Sequence, residues 1–335
     1  MGAKWARKIQ WGTEVASAIG TKVAATSIAR AVGVFEDDDV HNRHVEDVNL
    51  INGTTDSYVA RKGGKCNIDF DPASFEQFTD VLQCGITEAT ASVDGAGTGK
   101  IWVYPFPTSS TAAHSGKSIE FGDNAGAEVM EYSFVQNWTL AGGAGSQCTL
   151  NSAWYGRQQT PQAFTSLSAT VIPTVSPILF GNAKLYIDDV GGTIGTTQIT
   201  CTVLNFSLAV NTGLVPFFGA NGALYFCKTK VNGFEPVLTL SMEHNATSIA
   251  EKAKFRANTP RQLKLIIEGA ALTTAGTTYT YKTIVFESQG IFRRVPPMGE
   301  NDGNNIIDFE FVGAYNRTNG LFGQMIVVNE LATIP

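Results

Sequence analysis

The densest group of ionisable side chains in the sequence lies between positions 36 and 47. It holds carboxylates and imidazoles, which are ligands that divalent cations use, in Glu36, Asp37, Asp38, Asp39, His41, Arg43, His44, Glu46 and Asp47. An EF-hand loop needs a glycine at its turn, and this stretch has none. A solvated acidic loop is the more frequent outcome of such a charge run. We therefore expect no metal site and no cofactor, with cation binding by this stretch as the alternative.

The motifs that would indicate catalysis are incomplete. Gly116-Lys117-Ser118 resembles the end of a phosphate-binding P-loop, but Thr111 stands where that loop needs glycine, and a strand pattern follows. A glycine run at positions 95–99 lacks the spacing of a dinucleotide fingerprint. The histidines are too dispersed for an acid–base centre: His41, His44, His114 and His244. The sequence therefore predicts a protein that is not an enzyme.

Composition narrows the class further. Of 335 residues, 16% are charged, against roughly 25% in an average soluble protein, while 43% are apolar and 34 are glycine. A net charge of −6 argues against a basic face that binds nucleic acid. Five scattered cysteines are typical of reduced thiols. No apolar run is long enough for a membrane span, and the N-terminus lacks a signal-peptide core, so we expect no membrane association.

Short apolar or alternating segments bounded by turn residues recur along the chain and predict strands. They cover residues 66–70, 101–106, 131–140, 147–155, 183–188, 198–208, 223–228, 237–242, 262–268, 279–286 and 306–314. Helical periodicity predicts helices over 72–85, capped by Asp71, and over 245–257, capped by Asn245 or Thr247. The fold class is therefore mainly β, with two helices.

The two predicted helices lie in the same order of elements. In each half a strand leads into the helix, and two further strand signals and a final strand pair follow, at an offset of about 160 to 175 positions. This order matches strand 100–106 with 262–268, and segment 116–121 with 281–286. We predict two tandem domains, residues 1–165 and 178–335, joined by a linker over 166–177. A chance similarity of order is the alternative.

A set of turn and strand signals carries a resemblance to a known family. The signals are Ala18-Ile19-Gly20-Thr21, Gly53-Thr54, Phe75-Glu76-Gln77-Phe78, Ile187-Asp188-Asp189, Gly191-Gly192, Gly195-Thr196, Tyr281-Lys282, Ala314-Tyr315-Asn316 and Asn329-Glu330. In this order they resemble the major tail tube proteins of long-tailed, siphovirus-like bacteriophages. The resemblance implies two tandem tail-tube-type β-sandwich or barrel domains, each with one flanking α-helix.

The resemblance also implies a function. The chain is expected to be a structural virion protein that forms stacked rings, each a pseudo-sixfold ring of three chains or alternatively a hexamer. The stacked rings would form the phage tail tube, assembled in the bacterial host cytoplasm, with tape measure, terminator and distal tail proteins as partners. DNA would pass through the lumen without specific binding, which an acidic lining favours because it repels phosphate.

The same resemblance gives the acidic stretch a role. Residues 36–51 are too polar to be buried without partners, and they are predicted to leave the domain as an arm or hairpin. In tail tube proteins a long loop at this position reaches the adjacent ring. The acidic stretch is therefore a candidate inter-ring contact, and its candidate basic counterparts are Arg61, Lys62, Arg293 and Arg294. A solvated loop that contacts nothing is the alternative.

Two other functions remain open from the sequence. One is a different virion structural protein, either a distal tail protein or a capsid decoration. The other is a carbohydrate-binding β-sandwich adhesion module, which needs exposed aromatic side chains. The aromatics that could serve there are Trp102, Tyr104, Trp138, Trp154 and Tyr155, although their strand patterns favour a core or interface.

Overall fold

The computed structural model describes residues 4–15, 18–49, 51–109, 114–166, 172–317 and 320–334. Over these residues the chain forms two α-helices, α1 (Phe78–Gly85) and α2 (Ala246–Arg256). The strands are β1 (Lys8–Glu14), β2 (Ser27–Ile28), β3 (Val32–Asp37), β4 (Val40–Val45), β5 (Thr54–Arg61), β6 (Gly64–Phe70), β7 (Ser92–Val93), β8 (Lys100–Pro105), β9 (Gly116–Gly122), β10 (Ala127–Gly143), β11 (Thr149–Gly156), β12 (Gln158–Pro161), β13 (Ala183–Asp189), β14 (Gln198–Ile199), β15 (Val203–Asn211), β16 (Leu214–Phe217), β17 (Lys228–Val231), β18 (Glu235–Glu243), β19 (Arg261–Ala271), β20 (Tyr281–Arg294), β21 (Gly299–Asn301), β22 (Asn304–Gly313) and β23 (Gly323–Asn329). The mainly-β fold class expected from the sequence is confirmed.

One antiparallel sheet runs through the whole molecule. Its strands pair in the order β3, β6, β11, β10, β15, β18, β22 and β20. Strand β6 shows why these residues form strands: Cys66, Ile68 and Phe70 are buried, and the residues between them are exposed. This period of two places one face of the sheet on the core and the other towards solvent.

A second layer covers the core side of this sheet, and two long strands join the layers. The first part of β10 pairs with β9 and β12, and its last part pairs with β11 and β15. Likewise, the first part of β20 pairs with β19 and β23, and its last part pairs with β22. Both strands contain a register shift, and such bulges let a strand bend from one layer into the next.

The pairing pattern of the first half is repeated in the second. In the first half β1 pairs with β2 and β9, and β6 joins β3 to β11. In the second half β13 pairs with β14 and β19, and β18 joins β15 to β22. A two-stranded hairpin, β4–β5 or β16–β17, interrupts each half at the same point. A duplicated domain would give this repetition.

The two halves are nevertheless joined through both layers. Strand β10 pairs with β15, and β8 of the first half pairs with β23 of the second. One hydrophobic core cluster contains residues of both halves, from Ile9 to Val327. Of the predicted linker 166–177, residues 167–171 lie outside the described residues, and Ser176 near its end donates a backbone N–H to Glu76. The domain boundaries stay a prediction.

Strand β8 differs from its predicted match. The pairings make β9, not β8, the counterpart of β19, because β9 lies between β1 and β10 as β19 lies between β13 and β20. Strands β7 and β8 are an insertion that extends the sheet of the second half. The buried Asp94 fastens this insertion, since its carboxylate accepts the backbone N–H groups of Thr278 and Tyr279.

Helix α1 is shorter than predicted, because the chain before it is held by the end of the linker. Ser74 forms a β-bridge with Pro177, and the Phe75 N–H donates to the carbonyl of Ser176. These contacts use backbone groups that a helix starting at position 72 would need, and α1 begins at Phe78. All eight of its residues are buried.

Helix α2 begins where the sequence predicts. The Asn245 side chain accepts the N–H groups of Thr247 and Ser248, and the Ser248 hydroxyl accepts the Asn245 N–H, which completes a capping box. The helix lies at the surface, because Ser248 and Glu251 are its buried residues and Ile249 is exposed. The Glu251 carboxylate pairs with the buried guanidinium of Arg261.

Among the described residues, Lys117 and Asp80 form an ion pair that is fully buried in the core. Lys117 of the P-loop-like triplet lies within β9, where its Nζ donates to Asp80 Oδ1 at 2.5 Å and to Thr13 Oγ1 at 2.7 Å. Burial raises the pKa of the Asp80 carboxyl, and the charge of Lys117 opposes that rise. The lysine thus stabilises a carboxylate inside the protein and has no access to a phosphate.

We expect Lys117→Met to lower the free energy of unfolding by about 3–5 kcal/mol, because it leaves Asp80 buried without its partner. Lys117→Met/Asp80→Leu should recover most of this loss, since both charges are then gone. Urea unfolding followed by tryptophan fluorescence measures both variants. A single variant as stable as the original protein would contradict the role given to this pair.

Candidate functional site

The outer face of the eight-stranded sheet is lined by small, mostly uncharged side chains. Cross-strand neighbours place Asn67, Ala153, Asn137 and Asn211 in one row. The next row along the strands contains Asn151, Thr139 and Ala209, and a third contains Thr149, Ala141, Ser207 and Thr239. Large apolar residues of the same strands, such as Trp138 and Leu208, point to the core. In these three rows the outer face therefore carries small side chains, most of them polar.

Carboxylates outnumber cations on this face. Its charged residues are the carboxylates Glu36, Asp69, Glu235, Glu243, Asp308 and Glu310 and the cations Lys65, Arg293 and Arg294. Arg293 is neutralised by Glu235 at 2.8 Å and by Glu310 at 2.5 Å, and Lys65 lies 2.5 Å from Asp38. Lys65 and Arg293 are thus already paired within the chain, and the carboxylates remain in excess, which leaves this surface poorly suited to bind phosphate.

Strand β3 forms one open edge of the sheet. Followed strand by strand, the pairings between described residues branch but never return to a strand already passed, and β3 pairs with β6 alone. Its side chains Val32 and Val34 are 73% and 69% exposed. An exposed, apolar edge strand offers backbone N–H and C=O groups to another chain.

The second open edge is the end of β20. Residues 291–294 have β22 on one side, while β19 on the other side ends its pairing at Gly290. In the first half the equivalent position on β10, just beyond β9, is filled by β15. The strand equivalent to β15 is β3, the other open edge. Strands β10 and β15 form the junction between the two halves of the chain. Their equivalents, β20 and β3, lie at the two open edges of the sheet and are not paired with each other.

The acidic stretch forms a hairpin outside the main sheets. Strand β4 is exposed along its whole length and pairs with β5 as a separate two-stranded sheet. Glu36 and Asp37 end β3, Asp38 and Asp39 lie at the hairpin root, and Glu46 and Asp47 lie in the loop at its far end. His41, Arg43 and His44 lie along β4. A polar segment predicted to leave the domain does so.

Asp38 binds to its own chain. It contacts Arg61 Nη2 at 2.7 Å and Lys65 Nζ at 2.5 Å, and it accepts the hydroxyl of Tyr155 at 2.9 Å. Burial raises the pKa of Asp38, but the hydrogen bonds from Lys65 and Tyr155, together with the charges of Lys65 and Arg61, outweigh that effect and hold the pKa below its usual value. Its neighbour Asp39 accepts the Gly63 N–H at 3.0 Å. These two aspartates fasten the hairpin root.

The candidate basic counterparts differ in what they bind. Arg61 pairs with Asp38 of the same chain and lies 5.3 Å from the ring of Phe218. Arg293 is bound by Glu235 and Glu310. Lys62 donates its backbone N–H to Leu224, and Arg294 is exposed at the open end of β20. A contact of Arg61 or Arg293 with a neighbouring chain would therefore have to replace or share these ion pairs within the chain.

The aromatic side chains considered for carbohydrate binding are in the interior. The set is buried to at least 97%: Trp102, Tyr104, Trp138, Trp154 and Tyr155. The Trp102 indole donates to Asn329 Oδ1 at 3.0 Å, and Trp154 donates to Ser152 Oγ at 2.9 Å. Four of the five lie in the core between the two layers, and Tyr155 lies in a small separate cluster, so they do not form an exposed platform.

Within the described ranges, no three His, Cys, Asp or Glu side chains are grouped so that they could hold a metal ion. Cation binding by the acidic stretch thus gains no support from the geometry. Over the same ranges, no helix has both the length and the apolar character needed to cross a membrane. No family model matches the chain, and no curated protein matches it significantly.

The exposed valines of β3 were missed by the sequence reasoning. The run Val32-Gly33-Val34-Phe35 is apolar on both faces of the strand, and Phe35 stacks on Phe121 on the core side, 3.7 Å between centroids. A strand with a core on one side needs only one apolar face. Apolar residues on the second face are the signal that could have indicated a further partner.

We expect Asp38→Asn to lower the free energy of unfolding by roughly 1–2 kcal/mol at neutral pH, because it weakens bonds to Arg61, Lys65 and Tyr155. The pKa of Asp38 is lowered on folding, so this stabilisation is present above the unfolded value of about 3.9 and is lost as the pH falls through the folded value. Unfolding at pH 7 and below pH 4 measures the difference.

Asp37→Asn is the matched control, because Asp37 is the adjacent exposed carboxylate. It should change stability by less than about 0.5 kcal/mol. A deficit of Asp38→Asn that persists unchanged in acid would show that the carboxylate charge is not what stabilises the hairpin root.

Proposed function

We propose that the chain is a structural protein that assembles head to tail into rings, and that the rings stack into the tube of a long-tailed phage, a virion conduit for DNA. One observation carries the proposal. The junction between β10 and β15 joins the halves of one chain, and its equivalent members, β20 and β3, are left open at the two ends of the same sheet. The same junction between chains would extend the sheet.

The direction of the strands fits such a junction. The sheet has eight strands of alternating direction, so β3 and β20 run in opposite directions. A second copy can therefore add its β3 to β20 as one more antiparallel pair. A contact between two different surfaces is heterologous, and it closes into a ring when the rotation between copies allows.

Three copies would join 24 strands into one barrel. With strands about 4.8 Å apart, such a barrel measures roughly 40 Å between opposite backbones, wide enough for a DNA duplex. The repeated halves would give this ring a pseudo-sixfold symmetry. Six copies remain the alternative, and they would form a much wider barrel.

The polar face of the sheet suits the inside of such a ring. A surface of Asn, Thr, Ser and Ala with excess carboxylate has few groups that bind phosphate and repels the DNA backbone. DNA could slide along it without sequence-dependent binding. The buried aromatic side chains, by contrast, weaken the case for a carbohydrate-binding module.

We expect Val32→Lys/Val34→Lys to prevent ring formation, because two charges on an edge strand oppose pairing with another strand. Val93→Lys is the matched control, since Val93 is also an exposed valine on an edge strand, in the other layer. Mass photometry and negative-stain microscopy with rotational averaging measure the assembly and its symmetry.

The original protein should form rings or tubes, the control should do the same, and the double variant should remain monomeric. A monomer at high protein concentration across salt and pH for the original protein would overturn the proposal. Closed rings that never stack would favour a distal tail or decoration protein instead.

Stacking through the acidic hairpin is a separate proposal with its own test. Glu46→Gln/Asp47→Asn removes two carboxylates from the far end of the hairpin and should leave rings intact while shortening tubes, because ionic contacts between rings are lost. Glu88→Gln/Asp123→Asn removes one exposed and one half-buried carboxylate elsewhere and is the control. Tube length in microscopy, measured at increasing salt, is the readout.

Normal tubes with an unchanged salt response would exclude this role for the hairpin end. Asp37, Asp38 and Asp39 are less suited to this test, because Asp38 and Asp39 fasten the hairpin root within the chain.

A further inference from the structure

The hairpin β16–β17 of the second half covers part of the first half. Leu214 and Phe226 are buried in a small cluster with Tyr132, Phe134 and Tyr155. The ring of Phe226 lies 5.8 Å from that of Phe134 and 6.0 Å from that of Tyr155. Phe134 and Tyr155 are directly paired residues of β10 and β11. The hairpin therefore shields one end of these two strands from solvent.

Polar contacts fix the same hairpin. The guanidinium of Arg157 lies 4.9 Å from the ring of Tyr132 and 4.8 Å from that of Tyr225. The Lys62 N–H donates to the Leu224 carbonyl at 2.9 Å. The hairpin that follows β15 thus covers β10, with which β15 is paired, and β11, which lies on the other side of β10.

The second half has an equivalent pair of strands, and no described hairpin covers it. Ile291 of β20 is directly paired with Val312 of β22, which is paired with Val237 of β18. These residues lie on the outer face at the open end of the sheet, and Ile291 is 36% exposed. They form an apolar patch on the outer face, at the opposite edge of the sheet from Val32 and Val34.

The hairpin β4–β5 has the position that such a cover requires. It follows β3 as β16–β17 follows β15, and its first paired residue, Val40, corresponds to Leu214. Val40 is 36% exposed, whereas Leu214 is 3% exposed. The hairpin β4–β5 thus has the same place in the order of elements as β16–β17, but its first paired residue is exposed where that of β16–β17 is buried.

Charge favours the same contact. The hairpin root carries carboxylates between Glu36 and Asp39, and the exposed Arg294 lies three residues from Ile291. Opposite charges that flank an apolar contact help to orient the partners.

We propose that the root of β4–β5 of one copy covers Ile291 and Val312 of the next copy, as β16–β17 covers Phe134 and Tyr155 within the chain. The inference rests on the proposed head-to-tail assembly and names the surface that each hairpin root occupies. It assigns the root to contact within a ring and leaves the far end of the hairpin, with Glu46 and Asp47, for contact between rings. Val40 would then be as buried as Leu214.

Cross-linking tests the contact. Cys201→Ser/Cys227→Ser first removes the two cysteines that are not buried. Val40→Cys/Ile291→Cys is then assembled, checked by microscopy and treated with a short bis-maleimide. We expect chains linked in twos and threes on a denaturing gel. Val40→Cys/Val93→Cys is the control, and it should give single chains, because Val93 lies in the other layer.

Val40→Cys/Val312→Cys is made in parallel, because Val312 is away from the open edge and carries the test if a cysteine at position 291 blocks assembly. Assembled rings without linked chains would overturn the hairpin contact and leave ring formation standing. If mass photometry finds only monomers of the original protein, both the contact and the proposed function fail.

Discussion

Every strand at the edge of a sheet has backbone N–H and C=O groups on one side that no neighbouring strand satisfies. In this protein β10 has neighbouring strands on both sides along most of its length, so its own backbone groups are paired within the chain. It is 17 residues long, and it exchanges β9 for β15 as its neighbour on one side and β12 for β11 on the other. The same long strand therefore joins the two layers and the two halves.

This arrangement explains how the chain divides its surfaces. Because one sheet passes through both halves, one core can lie along its inner face, where Trp138, Leu208 and Leu240 of neighbouring strands are fully buried. Over the described residues the outer face has no such layer, and most of its side chains are polar. Between described residues, the two open edges of the eight-stranded sheet are short, and they differ from each other in sequence and so define a direction.

The local sequence predicted many of the strands and helices correctly, but it did not predict which strands pair with each other. Alternation identified β6, β13 and β18, and the cap at Asn245 located α2, because these signals depend on neighbours within a few residues. Strand β8 was matched with the wrong element, since its buried Trp102 and Tyr104 would give the same alternation beside any strand. Helix α1 also begins later than the sequence predicts, because the residues before it contact the distant Pro177.

The candidate site divides in the same way. The charge of residues 36–47 was enough to predict a segment outside the core, because desolvation of carboxylates is costly wherever they lie. The pairing of Asp38 with Arg61 depends on the hairpin that brings positions 23 apart together, and composition carries no trace of it. The open edges are a property of topology, and only the apolar second face of β3 hints at them.

The insertion of β8 beside β23 has a consequence for how the chain folds. Trp102 is held by Asn329, 227 positions later, and Tyr104 is paired with Met325. Contacts this distant in sequence form late and slow the search for the native state. During synthesis, β8 must wait with its aromatic side chains uncovered until β23 has emerged, so the first half cannot complete its native contacts before the second. The two halves therefore mature together, and a chain interrupted before β23 would expose a strand prone to aggregation.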